Sequence, residues 1–266
     1  MKIKLIILAF TMSAIAFGQS TRIEDTSTKN AFQKGEWLKF RMSYSNFLNA
    51  GYSTMEVKEV TDNNKNAFHI IGTGKSTGLV SLFFKVKDDY QTYIDKETLK
   101  PCRFIRKINE GGYTKDKEIL FDYETNEATV KDYKHNTVEK HPISSEIQDI
   151  LSTLYYIRNQ KLNDLAVGDE IELQMFFDEE ITNFKLHFLG REVIKTKFGK
   201  TKTLKFRPMV QAGRVFKEKE SVTIWITDDK NKIPLRIKAS LAVGSLRADL
   251  DAFKGLAHPF NIIFDN

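Results

Sequence analysis

Residues 145–159 read Ser-Glu-Ile-Gln-Asp-Ile-Leu-Ser-Thr-Leu-Tyr-Tyr-Ile-Arg-Asn, the one stretch of the chain past its N-terminal segment where apolar residues recur at helical spacing. Ile147, Ile150, Leu151, Leu154 and Ile157 fall on one stripe, which Tyr155 and Tyr156 widen. Ser145 with Gln148 has the form of a capping box, and Arg158 and Lys161 stand where the helix dipole favours cations. The spacing predicts one amphipathic helix over 145–159, and its stripe needs a surface to cover it.

The sequence on either side supplies that surface. Before the helix, Leu38, Phe40, Met42 and Tyr44 alternate with Lys39, Arg41 and Ser43, the period-two pattern of a strand with one wet face. A second strand follows Asn49-Ala50-Gly51 and runs through Met55 and Val57 to a turn at Asp62-Asn63-Asn64. Further strands are predicted at 67–72, 84–94, 102–109, 117–123 and 127–133. After the helix, alternation returns at Ile171 to Phe177, Phe184 to Phe188, Leu204 to Phe206, Val222 to Ile226 and Leu235 to Val243. Short connections and a lack of βαβ rhythm argue for a mainly β fold: a curved antiparallel sheet or open barrel wrapped around the one helix.

The N-terminus reads as an address. Lys2 and Lys4 precede an apolar run, Leu5 to Phe10, that continues with small residues to Gly18, and the run is shorter than a bilayer span. Ala16 and Gly18 fit a signal-peptidase site, so cleavage is expected before Gln19, followed by a flexible leader at 19–30 and a single β-rich domain at 31–266. The expected localisation is export to the periplasm, with release outside the cell as the alternative. The sole cysteine, Cys102, lies too far downstream to carry a lipid and has no partner for an internal disulfide.

Loss of residues 1–18 removes two of 41 basic residues and no acid, leaving 39 against 35 and a mature charge of +4. Such a mixed, mildly basic surface carries no nucleic-acid footprint. Gly72-Thr73-Gly74-Lys75-Ser76 resembles the tail of a phosphate loop, but position 69 is His69 and no helix is predicted to follow. Histidines at 69, 135, 141, 187 and 258 lack metal spacing. Asp88-Asp89, Asp178-Glu179-Glu180 and Asp228-Asp229 fall at strand ends, where acids serve turns. The lysines of 195–205 alternate with apolar residues, as the wet face of a hairpin would. No catalytic residue, metal ligand or cofactor is assigned, and the reading leans away from an enzyme.

Aromatic excess remains: 20 Phe and 9 Tyr. Phe83-Phe84 and Phe176-Phe177 would put rings on both faces of a strand, as where a helix covers one side and a cavity, lid or partner the other.

Ala31-Phe32-Gln33-Lys34-Gly35-Glu36, Gly51, Val167-Gly168-Asp169, Gly199-Lys200 with Leu204, and Trp225-Ile226-Thr227-Asp228-Asp229 with Ile233-Pro234-Leu235-Arg236 are together similar to a family of exported bacterial proteins, domain of unknown function 3108. The cleavage region also resembles that of Bacteroidota proteins. The resemblance implies no activity. It implies an architecture like that of periplasmic lipoprotein and lipid carriers, with the sheet curved over the helix. The leading expectation is a cell-envelope binding or assembly protein holding an apolar or acyl ligand, lined by Leu151, Leu154, Tyr155, Phe177, Phe188, Trp225 and Ile237. The alternatives are a hydrolase of envelope polysaccharide using acids such as Asp178 or Asp228, and a structural partner of another envelope protein.

Overall fold

The computed structural model describes residues 30–45, 48–62, 65–177, 179–209, 222–241 and 244–264. The expected signal, cleavage site and most of the leader lie outside the described residues. Ala31, where the ordered chain was expected to start, is buried.

Eight strands precede the main helix: β1 (Trp37–Tyr44), β2 (Leu48–Asp62), β3 (Lys65–Ser76), β4 (Lys87–Asp95), β5 (Pro101–Glu110), β6 (Tyr113–Asp122), β7 (Glu127–Asp132) and β8 (Thr137–Pro142). Six follow it: β9 (Glu170–Phe177), β10 (Glu180–Thr196), β11 (Gly199–Pro208), β12 (Val222–Thr227), β13 (Pro234–Ser240) and β14 (Ser245–Lys254). All fourteen form one antiparallel sheet in the order β8-β7-β6-β5-β4-β3-β2-β1-β14-β13-β12-β11-β10-β9. Every neighbour is a chain neighbour except at the centre, where β1 pairs with β14 from Trp37 opposite Lys254 to Tyr44 opposite Leu246.

The sheet curls without closing. Register shifts at Lys39/Phe40, Met42/Ser43, Tyr93/Ile94, Phe188/Gly190 and Trp225/Ile226 add local twist. They help bring β9, one edge, back over the other arm. Phe176 of β9 packs with Phe104, Phe121 and Val130 of β5, β6 and β7, its ring edge-on to Phe121 at 6.2 Å. Across the same seam Lys117 of β6 is paired with Glu179. No ladder joins β8 to β9. Instead the extended segment after β8 crosses the gap, and Gln148 exchanges backbone bonds with Gln174 and Phe176 at 2.9 and 2.8 Å.

The helix inside the curl is α2 (Ile150–Arg158), shorter than predicted. Ser145 does not cap it. The capping box is Asp149 with Ser152, because residues up to 148 are drawn into the backbone pairing with β9. Asp149 Oδ1 accepts from Leu151 N and Ser152 N at 2.8 Å each, and Oδ2 accepts the Thr92 hydroxyl at 2.5 Å. Tyr155 packs with Phe32, Phe68 and Ile70, while Ile157 packs with Leu186, Phe188 and Leu204.

A second helix, α1 (Gly78–Phe83), stands just before the strand predicted at 84–94, which begins at Lys87 instead. Phe83-Phe84 therefore does not lie across a strand. Both rings are exposed.

Candidate functional site

The stripe of α2 does not fill the whole curl. Above Leu154, between β1, β2 and β12 to β14, lies a partly open cavity of about 240 Å³. Its wall is almost entirely apolar: Phe40 and Met42 from β1, Met55 from β2, Ile224 from β12, and Ile237 and Ala239 from β13, with Leu246 and Ala248 of β14 beside them. Strand alternation places these side chains, since Ile237 and Ala239 share a face, as do Leu246 and Ala248. Met42, Met55, Leu154, Ile224, Ile237 and Leu246 are only half-buried, although they point into the fold.

Two of the seven residues predicted to line a ligand, Leu154 and Ile237, meet in this cavity. The others are elsewhere. Leu151 presses on β3, where a Cβ at Gly72 would come within 3.3 Å of its Cδ2. Tyr155 is sealed against Phe32, its ring edge-on at 4.7 Å, and burial pushes its hydroxyl pKa up. Phe188 is sealed against Phe206 at 5.1 Å. Phe177 lies under the guanidinium of Arg106 at 4.5 Å. Trp225 points away from Ile224 and Ile226, its indole N–H donating to Glu192 and Lys205 5.5 Å from its ring. Phe40, Met42, Met55, Leu246 and Ala248 were not among the candidates. The alternation of β1 gave an inward face for the first two, with nothing to mark it as cavity rather than core.

Charge sits in a second place, next to the cavity but closed. Arg158, at the end of α2, and Glu36, just before β1, are both fully buried. Arg158 Nη1 and Nη2 donate to the two Glu36 oxygens at 2.7 Å each, Nη2 also to Ala31 O and Nε to Asn231 O, both at 3.0 Å. All three nitrogens of the fork donate, four bonds in all, which is what allows such a charge to be buried. Asn231 in turn donates to His258 O and Pro259 O at 2.9 and 3.0 Å. Asp229 Oδ1 shapes the turn before β13 by accepting from Thr227 Oγ1 and from the amides of Asn231 and Lys232. The family-like segments at Ala31–Glu36 and Trp225–Arg236 thus meet on α2 as a clasp. Gly51, another of those residues, lies where a Cβ would overlap the Lys75 carbonyl.

The remaining polar candidates have local partners. Gly72 to Ser76 is the end of β3, and a helix does follow, against the expectation: α1 begins at Gly78, a short one with no buried residue. His69 donates or accepts with Gln91 at 2.8 Å and stacks on Tyr93, His135 meets Asp132, and His187 lies 3.0 Å from Glu170. Asp228 is 3.6 Å from Arg191, and Asp178 lies outside the described residues. Lys197 pairs with Asp251 at 2.7 Å and Lys205 with Glu192 at 3.5 Å. Cys102 is half-buried, its thiol donating to Tyr93 O. Among the described residues no group of three or more His, Cys, Asp or Glu could hold a metal ion, and no helix is long and apolar enough to cross a membrane.

Among solved structures the chain is similar to a β-barrel-like protein of domain of unknown function DUF1849 from Brucella abortus. The two are 8% identical with a TM-score of 0.54, over 84% of this chain and 98% of that one. At that identity the likeness is one of fold. A DUF1089 family protein from Pseudomonas aeruginosa is 9% identical, covering 69% of this chain and 87% of its own, with a TM-score of 0.36. No curated protein matches. The family described as "Protein of unknown function (DUF3108)" matches residues 39–251, from within β1 to within β14, and the chain belongs to that family.

Proposed function

We propose that this chain is a cell-envelope binding protein that holds an apolar, acyl-type ligand in the cavity above Leu154. One observation carries the reading: inward-pointing methionine, leucine and isoleucine side chains that a finished core would bury stand half-exposed around a space of about 240 Å³. An enclosed cavity of about 150 Å³ with a similar lining takes up benzene, and here an apolar guest would cover the half-exposed side chains around a partly open space. With almost no polar group in the wall, affinity would come from buried apolar area, and selectivity from length and girth. The N-terminal sequence supports an exported address, which would bring the chain to lipids and acylated molecules outside the cytoplasm.

Native mass spectrometry of the protein isolated from its own host, before and after delipidation, tests the proposal. An acyl-sized adduct that delipidation removes, and that an Ala239→Trp variant lacks, is the expected result. A single bare mass in both samples, together with no binding of a fluorescent fatty acid to the delipidated protein, would defeat it. The same spectra read the address, since cleavage before Gln19 gives a defined mature mass.

A further inference from the structure

Thr77-Gly78-Leu79-Val80-Ser81-Leu82-Phe83-Phe84-Lys85-Val86-Lys87 joins β3 to β4 through α1, and α1 buries none of its residues. Leu79 is 63% exposed, Leu82 77%, Phe83 89% and Phe84 51%. Scattered exposed leucines are ordinary, but four large apolar side chains on one short tip form a patch that water disfavours.

The tip is built, and it projects. Ser81 Oγ donates to Gly78 O at 2.7 Å, Phe84 N to Val80 O at 2.8 Å and Thr77 N to Ala50 O at 3.1 Å. The Phe84 ring rests on Gly111, where any Cβ would overlap it, so the β5–β6 turn acts as a shelf. Tyr113, next along that turn, is exposed too.

Its neighbours are cationic. Residues 66–87 hold Lys75, Lys85 and Lys87 and no acid, and all three lysines are exposed. The nearest acids in sequence, Asp88 and Asp89 on β4 and Glu110 on β5, stand at the foot of the tip and not on α1. Asp88 accepts the Asn109 amide at 3.1 Å, Asp89 accepts from Gln91 at 2.8 Å, and burial together with a hydrogen bond shared with Asp88 pushes the Glu110 carboxyl up.

The position of the tip follows from strand register. Met42, in the cavity wall, lies opposite Gly51, and Gly51 opposite Ser76, the last residue before the tip. Two strand spacings, about 10 Å, therefore separate the wall from the start of the tip, at the same end of the sheet.

We propose that the α1 tip is a membrane-docking element: Leu79, Leu82, Phe83 and Phe84 enter a lipid surface while Lys75, Lys85 and Lys87 meet its anionic head groups. An apolar wedge beside lysines is what an interfacial anchor requires, each part adding to the other. A second copy of the chain would suit the patch less well, because two-fold pairing would set the same lysines against one another. Docked this way, the cavity end of the sheet faces the bilayer. The inference goes beyond the binding reading and does not depend on it.

Flotation of the chain beginning at Gln19, with vesicles of phosphatidylethanolamine and phosphatidylglycerol or of phosphatidylcholine alone, tests it. The expected result is co-flotation with the anionic vesicles, weakened by added salt. Leu82→Glu and Phe83→Glu should each lower that binding about tenfold or more, and Lys85→Glu with Lys87→Glu by about tenfold. These positions are exposed, so circular dichroism should match the parent. The proposal is overturned if the parent chain stays in the soluble fraction, or if Phe83→Glu floats as well as the parent. It is equally overturned if Phe83→Glu instead dissolves a dimer seen by sedimentation in a chain that does not float. Fluorescent fatty-acid binding separates this from the cavity: Phe83→Glu should retain it, whereas Ala239→Trp should lose it and still float.

Discussion

Arg158 shows how far a single residue can commit a fold. Removing one member of a fully buried ion pair leaves the other charge uncompensated, which costs about 3–5 kcal/mol, whereas replacing both by apolar residues of similar volume is often close to neutral. Arg158→Met is therefore expected to destabilise the chain by about that amount, and adding Glu36→Met should recover a large part of the loss. Urea unfolding of the two single variants and the double variant closes the cycle, and additive losses would contradict the clasp as described. At this scale the sequence was partly legible. Arg158 drew attention only as a cation at a helix end, because its partner stands 122 positions away and no local pattern links them. Leu154 and Ile237 were found by periodicity. Trp225 stood among the lining candidates, although its alternation with Ile224 and Ile226 already set it on the other face of β12, where Glu192 takes its N–H.

Among the elements, α2 carries the most unusual group. Burial raises the Asp149 carboxyl to about pH 6 from its ordinary 3.8, even though Thr92 and two amides donate to it. A raised folded-state value means that the carboxyl's contribution is fully present below about pH 4 and is lost as the pH climbs through 6. The rise from 3.8 to about 6 corresponds to about 3 kcal/mol. Asp149→Asn keeps a good helix cap and cannot ionise. The gap in unfolding free energy between the variant and the parent should therefore move in the variant's favour by up to about 3 kcal/mol between pH 4 and pH 7. A pH-independent gap would refute the assignment. The helix was readable from its stripe, but its start was not, because Gln148 pairs with β9 and no propensity records that. Two strands were also missed, for different reasons. β8, Thr137–Pro142, has a largely exposed, charged pattern with no apolar face, which suits a strand at the edge of a sheet. β14 does alternate, with Leu246, Ala248 and Leu250 on one side, but its acids and small residues hid it, and Phe83-Phe84 misled in the opposite sense by looking like a strand.

The whole molecule is two unequal arms of one sheet, β1 to β8 and β9 to β14, that meet a second time across the Phe176 seam. Its class and curvature were legible because period-two alternation runs through nearly the entire chain and only one stripe breaks it. The order of strands was not, since the pairing of β1 with β14 depends on residues some 200 positions apart, such as Trp37 and Lys254. That pairing sets a timetable. The strand in the middle of the finished sheet is the last of the fourteen to be made. Until it arrives, β1 on one arm and β13 on the other are raw edges. Local hairpins can form early, but the step that joins the arms must wait for a contact of very long range, the kind that slows folding. A chain ended at Ser240 should consequently fail to melt as one cooperative unit by circular dichroism, and a sharp single transition would sink the idea. The same order keeps the chain unlocked throughout its synthesis: the sheet can close only once its last strand is free.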